Sequence, residues 1–263
     1  ITVKDAANAS ANQFFTITVA NANDAPIFTS IAQANATEDV AYSYAISTED
    51  VDNGDQTIIS QLILPAWLAL TDHEDGTATL SGTPTNDHVG TDEVSIQVAD
   101  TAGASTLQNF TITVANTNDD PIFTSAAVVV GTEDEAYRYA ITTDDDDAGD
   151  TATITATTPN WLTIQDNGDG TATLSGTPTN DDLGDHEIVL KVTDGSSGSN
   201  TQSFTLTVDN TNDAPTFTSN GIVVATEDVV YSYVITTSDV DAGDTATITA
   251  PTKPDWLAIN DNG

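Results

Sequence analysis

Along most of the chain, apolar positions alternate with polar or threonine positions at a period of two, the pattern of strands with one buried face. Apolar or aromatic side chains fall on every second residue in Tyr137-Arg-Tyr-Ala-Ile141, Thr171-Ala-Thr-Leu174 and Phe204-Thr-Leu-Thr-Val208. Ala152-Thr-Ile-Thr155 and Ile188-Val-Leu-Lys-Val192 continue the pattern. Gly, Asn and Asp separate these runs, and no stretch carries the period of a helix. About seven short strands in about 95 residues predict an all-β fold, a seven-stranded Greek-key sandwich of immunoglobulin-like type.

The pattern repeats. Pro26-Ile-Phe-Thr-Ser returns at Pro121 and, as Pro-Thr-Phe-Thr-Ser, at Pro215. Thr37-Glu38-Asp39 returns at 132–134 and 226–228, Trp67-Leu68 at 161–162 and 256–257, and Leu80-Ser-Gly-Thr-Pro-Thr-Asn-Asp87 at 174–181. These spacings predict repeat 1 over residues 26–120 and repeat 2 over 121–214, following one another like beads. Residues 1–25 match the C-terminal piece of a preceding repeat, and 215–263 match the N-terminal half of a third. The chain lacks Met and opens on Ile1 in mid-pattern, so it reads as an internal fragment. Both terminal pieces are expected to be incomplete sandwiches with exposed edges.

Composition then narrows the function. Acidic residues number 41 against 4 Lys plus Arg, giving a formal net charge of −37. No basic face exists to hold nucleic acid or an anionic membrane. There is no Cys, hence no disulfide, thiolate metal site or Cys nucleophile. No apolar run is long enough for a membrane span, so no direct insertion is expected. An apolar share of 38%, with 46 Thr, argues for an ordered β protein over an acidic disordered chain. No Gly-x-Ser-x-Gly, metallo-His motif or unique polar cluster suggests catalysis.

The acids recur at fixed places. One group is the junction: Asn21-Ala-Asn23-Asp24, Asn116-Thr-Asn118-Asp119 and Asn210-Thr-Asn212-Asp213, each with Pro two residues beyond the Asp. A second is Asp50-Val-Asp52-Asn-Gly-Asp55, Asp145-Asp-Asp147-Ala-Gly-Asp150 and Asp239-Val-Asp241-Ala-Gly-Asp244. The Glu of each Thr-Glu-Asp, the Asn-Asp after Gly-Thr-Pro, and Asp100 and Asp194 complete the set. Asp-x-Asp beside a Gly puts two carboxylates on one side of a turn, where repulsion is tolerable if a cation lies between them. Calcium takes six to eight hard oxygens, the mixture on offer; zinc or copper would want His or Cys, and His73, His88 and His186 do not recur in register.

These motifs, in this order, resemble the calcium motifs of cadherin repeats. With Pro-x-Trp-Leu and Leu-Ser-Gly-Thr-Pro, the whole repeat resembles more closely the cadherin-like or dystroglycan-type repeats of large bacterial surface proteins. The resemblance implies ions between consecutive domains, one to three Ca²⁺ per junction. Carried over residue by residue, the junction of repeats 1 and 2 would use Glu38, Asp87, Asn116, Asn118, Asp119, Asp145, Asp147 and Asp194. The next would use Glu133, Asp181, Asn210, Asn212, Asp213, Asp239 and Asp241. An incomplete third would use Asn23, Asp24, Asp50, Asp52 and Asp100. Two departures stand out. Asn116 and Asn210 replace the Asp that cadherin junctions usually carry, and no Asp-Arg-Glu is present, Asn86-Asp87 and Asn180-Asp181 being nearest. Fewer charged ligands favour fewer ions.

The function implied is a calcium-rigidified stalk or adhesive region, extracellular, of a secreted or surface-anchored bacterial protein. Alternatives are polysaccharide-binding accessory repeats and homotypic adhesion to like repeats on another cell. Asp72-His-Glu-Asp-Gly76 and Asp166-Asn-Gly-Asp-Gly170 read as hairpin turns, Gly82-Thr-Pro84 as a tight turn, and Trp67, Trp161 and Trp256 as core.

Overall fold

The computed structural model describes every residue except Asn53, Asp55, Ala148, Thr151 and Gly263. Asp55, the last residue of the first Asp-x-Asp-x-Gly-Asp motif, therefore lies outside the described residues. The chain divides into two compact units, Ile1–Thr117 and Asn118–Gly263.

The first unit contains β1 (Thr2–Lys4), β2 (Ser10–Asn12), β3 (Ile27–Phe28), β4 (Asn35–Thr37), β5 (Tyr42–Glu49), β6 (Thr57–Ile63), β7 (Leu68–Asp72), β8 (Thr77–Gly82), β9 (Gly90–Asp100) and β10 (Ser105–Ala115). β3 to β10 form two four-stranded sheets, ordered β3-β5-β8-β7 and β4-β10-β9-β6. The second unit repeats this with β11 (Ile122–Phe123), β12 (Val130–Thr132), β13 (Tyr137–Asp144), β14 (Thr153–Thr157), β15 (Leu162–Asp166), β16 (Thr171–Gly176), β17 (Gly184–Thr193) and β18 (Ser199–Asp209), in sheets β11-β13-β16-β15 and β12-β18-β17-β14. It adds the short pair β19 (Thr216–Phe217) and β20 (Thr237–Ser238). Each sandwich is the expected seven-stranded one, because its first strand is split. β11 pairs antiparallel with β13 in one sheet, and β12 runs parallel to β18 in the other.

The period-two pattern is what closes the sandwich. On β13, Tyr137, Tyr139 and Ile141 are buried while Arg138, Ala140 and Thr142 are exposed. Ile188, Leu190 and Val192 on β17, with Leu206 and Val208 on β18, face them from the other sheet. A polar tie crosses this core. The Tyr139 hydroxyl donates to Gln202 Oε1 at 2.9 Å, and Gln202 Nε2 donates to the Ser125 carbonyl at 2.9 Å. Tyr44, Gln108 and Ser30 repeat it in the first unit. Burial pushes the Tyr42 and Tyr137 hydroxyls up to about 12.

The unequal repeat spacing has a local cause. Ile59 N–H bonds Asp72 Oδ2 across 13 residues, whereas its counterpart Ile154 bonds Asp166 Oδ2 across 12. The register of β6 against β9 shifts between Gln61 and Ile63, so the extra residue is Leu62, accommodated as a bulge on an edge strand.

Trp67 and Trp161 are partly buried and pack against the two cores, as expected. Trp256 does not; it is 66% exposed, although it keeps the edge-on contact with Tyr231 that Trp161 makes with Tyr137. In residues 215–262, β19 and β20 are the only strands among the described residues, and Val223, Val230 and Val234 lie open. Phe15-Thr-Ile-Thr-Val19 matches Phe110–Val114 of β10 yet forms no strand, and Phe14, Ile17 and Val19 are exposed. In β10 the same pattern is held by β9 and β4 together. Alternation alone buries nothing without a facing sheet.

Gly82 and Gly176, in the Leu-Ser-Gly-Thr-Pro segments, sit directly over the preceding Trp. A Cβ on Gly176 would lie 2.1 Å from the Trp161 carbonyl oxygen and 3.0 Å from its indole ring. We expect Gly176→Ala to lower the stability of repeat 2 by about 2 kcal/mol or more, since backbone must move. Gly195→Ala, whose new carbon would meet nothing closer than Asp150 at 3.7 Å, should change it by less than about 0.5 kcal/mol. Urea unfolding of the two variants checks this.

Candidate functional site

Because every strand of a sandwich ends at one of two poles, the loops carrying the recurrent acids collect there. At the N-terminal pole of repeat 2, Asp145 and Asp147 lie on the turn after β13, and Asp194 directly follows β17. Asp147 is buried, and its Oδ2 accepts the Asp119 N–H at 2.7 Å. Asp194 is buried as well. Its Oδ1 accepts Ser196 and Gly198 N–H, both at 2.8 Å, and its Oδ2 accepts Asn118 Nδ2 at 2.9 Å. Those donors, the Asn118 amide first, hold the Asp194 carboxyl below its ordinary 3.8. Asp145 differs. Its Oδ1 accepts the Asp147 N–H at 2.9 Å, but its Oδ2 is buried with no hydrogen-bond partner among the described residues. Burial, reinforced by Asp147, Asp194 and Asp150, pushes its carboxyl above the ordinary 3.8.

The first unit builds the same pole. Asp52 Oδ2 accepts Asp24 N–H at 2.7 Å and Asp100 Oδ2 accepts Asn23 Nδ2 at 2.9 Å. Asp50 Oδ1 accepts Asp52 N–H at 2.9 Å, and Asp50 Oδ2 is again buried without a partner among the described residues. Asn21, which the motif comparison did not select, donates to Asp52 Oδ1 at 2.6 Å and is the main cause of that carboxyl's lowered pKa.

At the other pole of repeat 2, Glu133 follows β12 and is 1% exposed. It accepts Thr211 N–H at 3.4 Å. Oxygens of Glu133, Asp134 and Asp213 lie within 4.8 Å of one another. Burial first, then Asp213, Asp134 and Asp241, push the Glu133 carboxyl above its ordinary 4.5. Asp213 N–H bonds Asp241 Oδ2 at 2.6 Å, and Asp241 N–H bonds Asp239 Oδ1 at 3.0 Å. The sequence reading placed Asp181 here. Asp181 is exposed and outside the trio, while its neighbour Asn180 reaches Asp241 Oδ1 at 3.5 Å. Asn210 and Asn212 are exposed, and Asn212 Nδ2 donates to the Asp213 carbonyl at 2.8 Å. In the first unit, Glu38 is buried and accepts Thr117 N–H at 3.3 Å; Asp87 and Asn116 are exposed.

Asp134 escaped the sequence reading, which took only the Glu of Thr-Glu-Asp. It adopts a left-handed conformation (φ 57°) and its N–H bonds the Pro178 carbonyl at 2.9 Å. Asp39 does the same at φ 55° against Pro84, and Asp228 shares the conformation at φ 61°. The signal was available, since Asp recurs at this position in all three repeats and is among the few side chains that tolerate positive φ.

Chemically, the candidate residues offer carboxylate, amide and carbonyl oxygens, and none of them is His or Cys, a hard-cation donor set. The raised and lowered groups give opposite pH dependence. Glu133 and Asp145 favour their protonated forms in the fold; the stability they contribute is present below their unfolded pKa values and lost as pH rises through the folded ones. Asp194 contributes stability above its unfolded value that is lost as pH falls through its lowered one. In cation-free buffer we expect the urea midpoint of the chain to pass through a maximum on the acid side of neutrality and to fall on both sides.

The He_PIG family, described as Putative Ig domain, matches residues 25–115 and 120–209. No curated protein matches the chain. Among solved structures, PcdhgB3 EC1-4 aligns with a TM-score of 0.56 at 18% identity, over 73% of this chain and 51% of that one. The protocadherin GammaB4 extracellular domain aligns with a TM-score of 0.52 at 20% identity, over 86% and 39%. Likeness at these identities is one of fold, and the repeats are cadherin-like immunoglobulin-type sandwiches in tandem. An endo-fucoidan hydrolase from glycoside hydrolase family 107 is 27% identical over 80% of this chain and 33% of its own, but the TM-score of 0.36 is too low to establish a shared arrangement. The chain spans only about a third to a half of these structures' lengths. No helix among the described residues is long and apolar enough to cross a membrane.

Proposed function

Since the chain belongs to the Putative Ig domain family, we propose that its repeats are a calcium-binding extracellular segment of a larger surface or secreted protein, serving as a stalk or adhesive region that calcium stiffens. The observation that carries this reading is the buried, partnerless Oδ2 of Asp145, repeated at Asp50. A buried carboxylate oxygen without a donor is costly unless a proton or a cation meets it. Its neighbours Asp147 and Asp194 are acids as well, so a divalent cation is the economical partner.

At that pole Asp145, Asp147 and Asp194 would hold calcium, with Asn118 and Asp119 beside them. Asp50, Asp52, Asp100, Asn23 and Asp24 would do so in the first unit. At the opposite pole of repeat 2 the donors would be Glu133, Asp134, Asp213, Asp239 and Asp241. Glu38, Asp39 and Asp87, with Asn116, would supply their equivalents in repeat 1. One to three ions per junction suit this carboxylate count. Extracellular modules of this kind bind calcium with dissociation constants of about 10⁻⁴ to 10⁻³ M, so the repeats would fill outside a cell and empty in chelator. With calcium bound, the mutual repulsion of the acids is replaced by attraction to a shared ion, which resists bending at the junction.

Small-angle scattering with and without EGTA should show a longer maximum dimension in calcium, and an unchanged dimension would count against stiffening. Asp145→Asn provides the residue-level check. In EGTA at neutral pH it should raise the melting temperature, because a buried uncompensated charge is gone. In calcium it should abolish most of the stabilisation that the wild type gains. A variant with the wild-type calcium response would remove Asp145 from the site.

A further inference from the structure

The junction asparagines are turned the same way in both units. Asn118 Nδ2 donates to Asp194 Oδ2 at 2.9 Å and to the Asp119 carbonyl at 2.9 Å. Asn23 Nδ2 donates to Asp100 Oδ2 at 2.9 Å and to the Asp24 carbonyl at 3.2 Å. A primary amide has two N–H groups, and here both are spent on oxygens, one belonging to an Asp 76 or 77 residues away. Space is kept for the pair: a Cβ on Gly198 would lie 2.3 Å from Asp194 Oδ2 and 2.7 Å from Asn118 Nδ2. Asp194 and Asp100 thus have all their oxygens satisfied by N–H donors, unlike Asp145 and Asp50 on the same poles.

We infer that Asn118 and Asn23 are positioning residues that pin each N-terminal pole together when no cation is bound, their amide hydrogens supplying the positive potential that one of the acids needs. The pin ties the junction, through Asp119 N–H and Asp147, to the turn that carries Asp145. It makes Asn the required residue here. Asp in its place would add a charge suited to a cation, yet set a carboxylate 2.9 Å from Asp194 Oδ2 where a donor now stands. The cation-free pole would then come apart, and its assembly would depend on the ion. That last step rests on the calcium reading above; the pin itself does not.

The test compares Asn118→Asp, Asn118→Ala and wild type in EGTA and in millimolar calcium. In EGTA, Asn118→Asp should lower the melting temperature of repeat 2 by about 5 °C or more, the scale of a charge-assisted hydrogen bond in a domain of this size. Asn118→Ala, which removes the donor without adding repulsion, should lower it by less. Amide exchange at Asp119 reads the pole itself and should quicken by about tenfold or more in Asn118→Asp. Calcium should restore at least half of the loss in Asn118→Asp and little of it in Asn118→Ala. If Asn118→Asp leaves both the EGTA melting temperature and Asp119 exchange unchanged, the pin is wrong. If it loses as much in calcium as in EGTA while wild type binds calcium calorimetrically, the cation-dependence is wrong. If wild type shows no calcium binding while both variants still loosen Asp119, the pin stands and the calcium reading falls.

Discussion

Face-to-face closure of two four-stranded sheets is the constraint on which everything else in this protein depends. Strands with a period-two pattern can bury one face only against another such face, and once Tyr139, Leu174, Leu190 and Leu206 meet, the chain between strands has nowhere to run but the two poles. The acids therefore do not need to be attracted to one another to gather. Packing of the apolar face drives their loops together and leaves the electrostatic cost to be met locally.

How that cost is met differs from carboxylate to carboxylate. Asp194 and Asp100 are covered by backbone N–H groups and an asparagine amide, and their pKa values are lowered. Asp147, Asp52 and Asp241 each take a backbone N–H from the junction. Asp145 and Glu133 are left short of donors, and burial raises them. The same pole thus contains acids that are settled without a cation and acids that are not. Carboxylates covered by N–H donors hold their loops together through those bonds, whereas the uncovered ones carry the unrelieved electrostatic cost. Part of the net charge of −37 lies at these places, and the rest is spread over hairpin turns and strand faces such as Asp185 and Glu187 of β17.

Much of this was legible in the sequence. The alternation in β13 and β17 read correctly because both faces of each strand meet what their residues require. In Phe15-Thr-Ile-Thr-Val19, within a terminal piece expected to be incomplete, the same pattern lacks a facing sheet among the described residues and Ile17 and Val19 remain open, and for the same reason Trp256, expected in a core, is exposed. The candidate acids were found through recurrence alone, and the structure brings Glu133, Asp213, Asp239 and Asp241 to one pole and Asp145, Asp147 and Asp194 to the other. Asp134 lies beside Glu133 and Asp213 through a left-handed turn pinned to Pro178, which recurrence of the Glu alone did not single out, and at the same pole Asn180 reaches Asp241 while Asp181 is exposed.

By itself the sequence determined the strand type, the repeat and the hard-oxygen character of the poles, since these follow from period, self-similarity and residue chemistry, all of which are local or linear. Only the tertiary structure decided which oxygen of each carboxylate is satisfied and which is orphaned. The donors come from 28 residues away for Asp147 and 76 for Asp194, and no partner among the described residues reaches Asp145 Oδ2. A carboxylate's charge state and appetite for a cation are set by those through-space neighbours, which residue type and linear spacing do not contain.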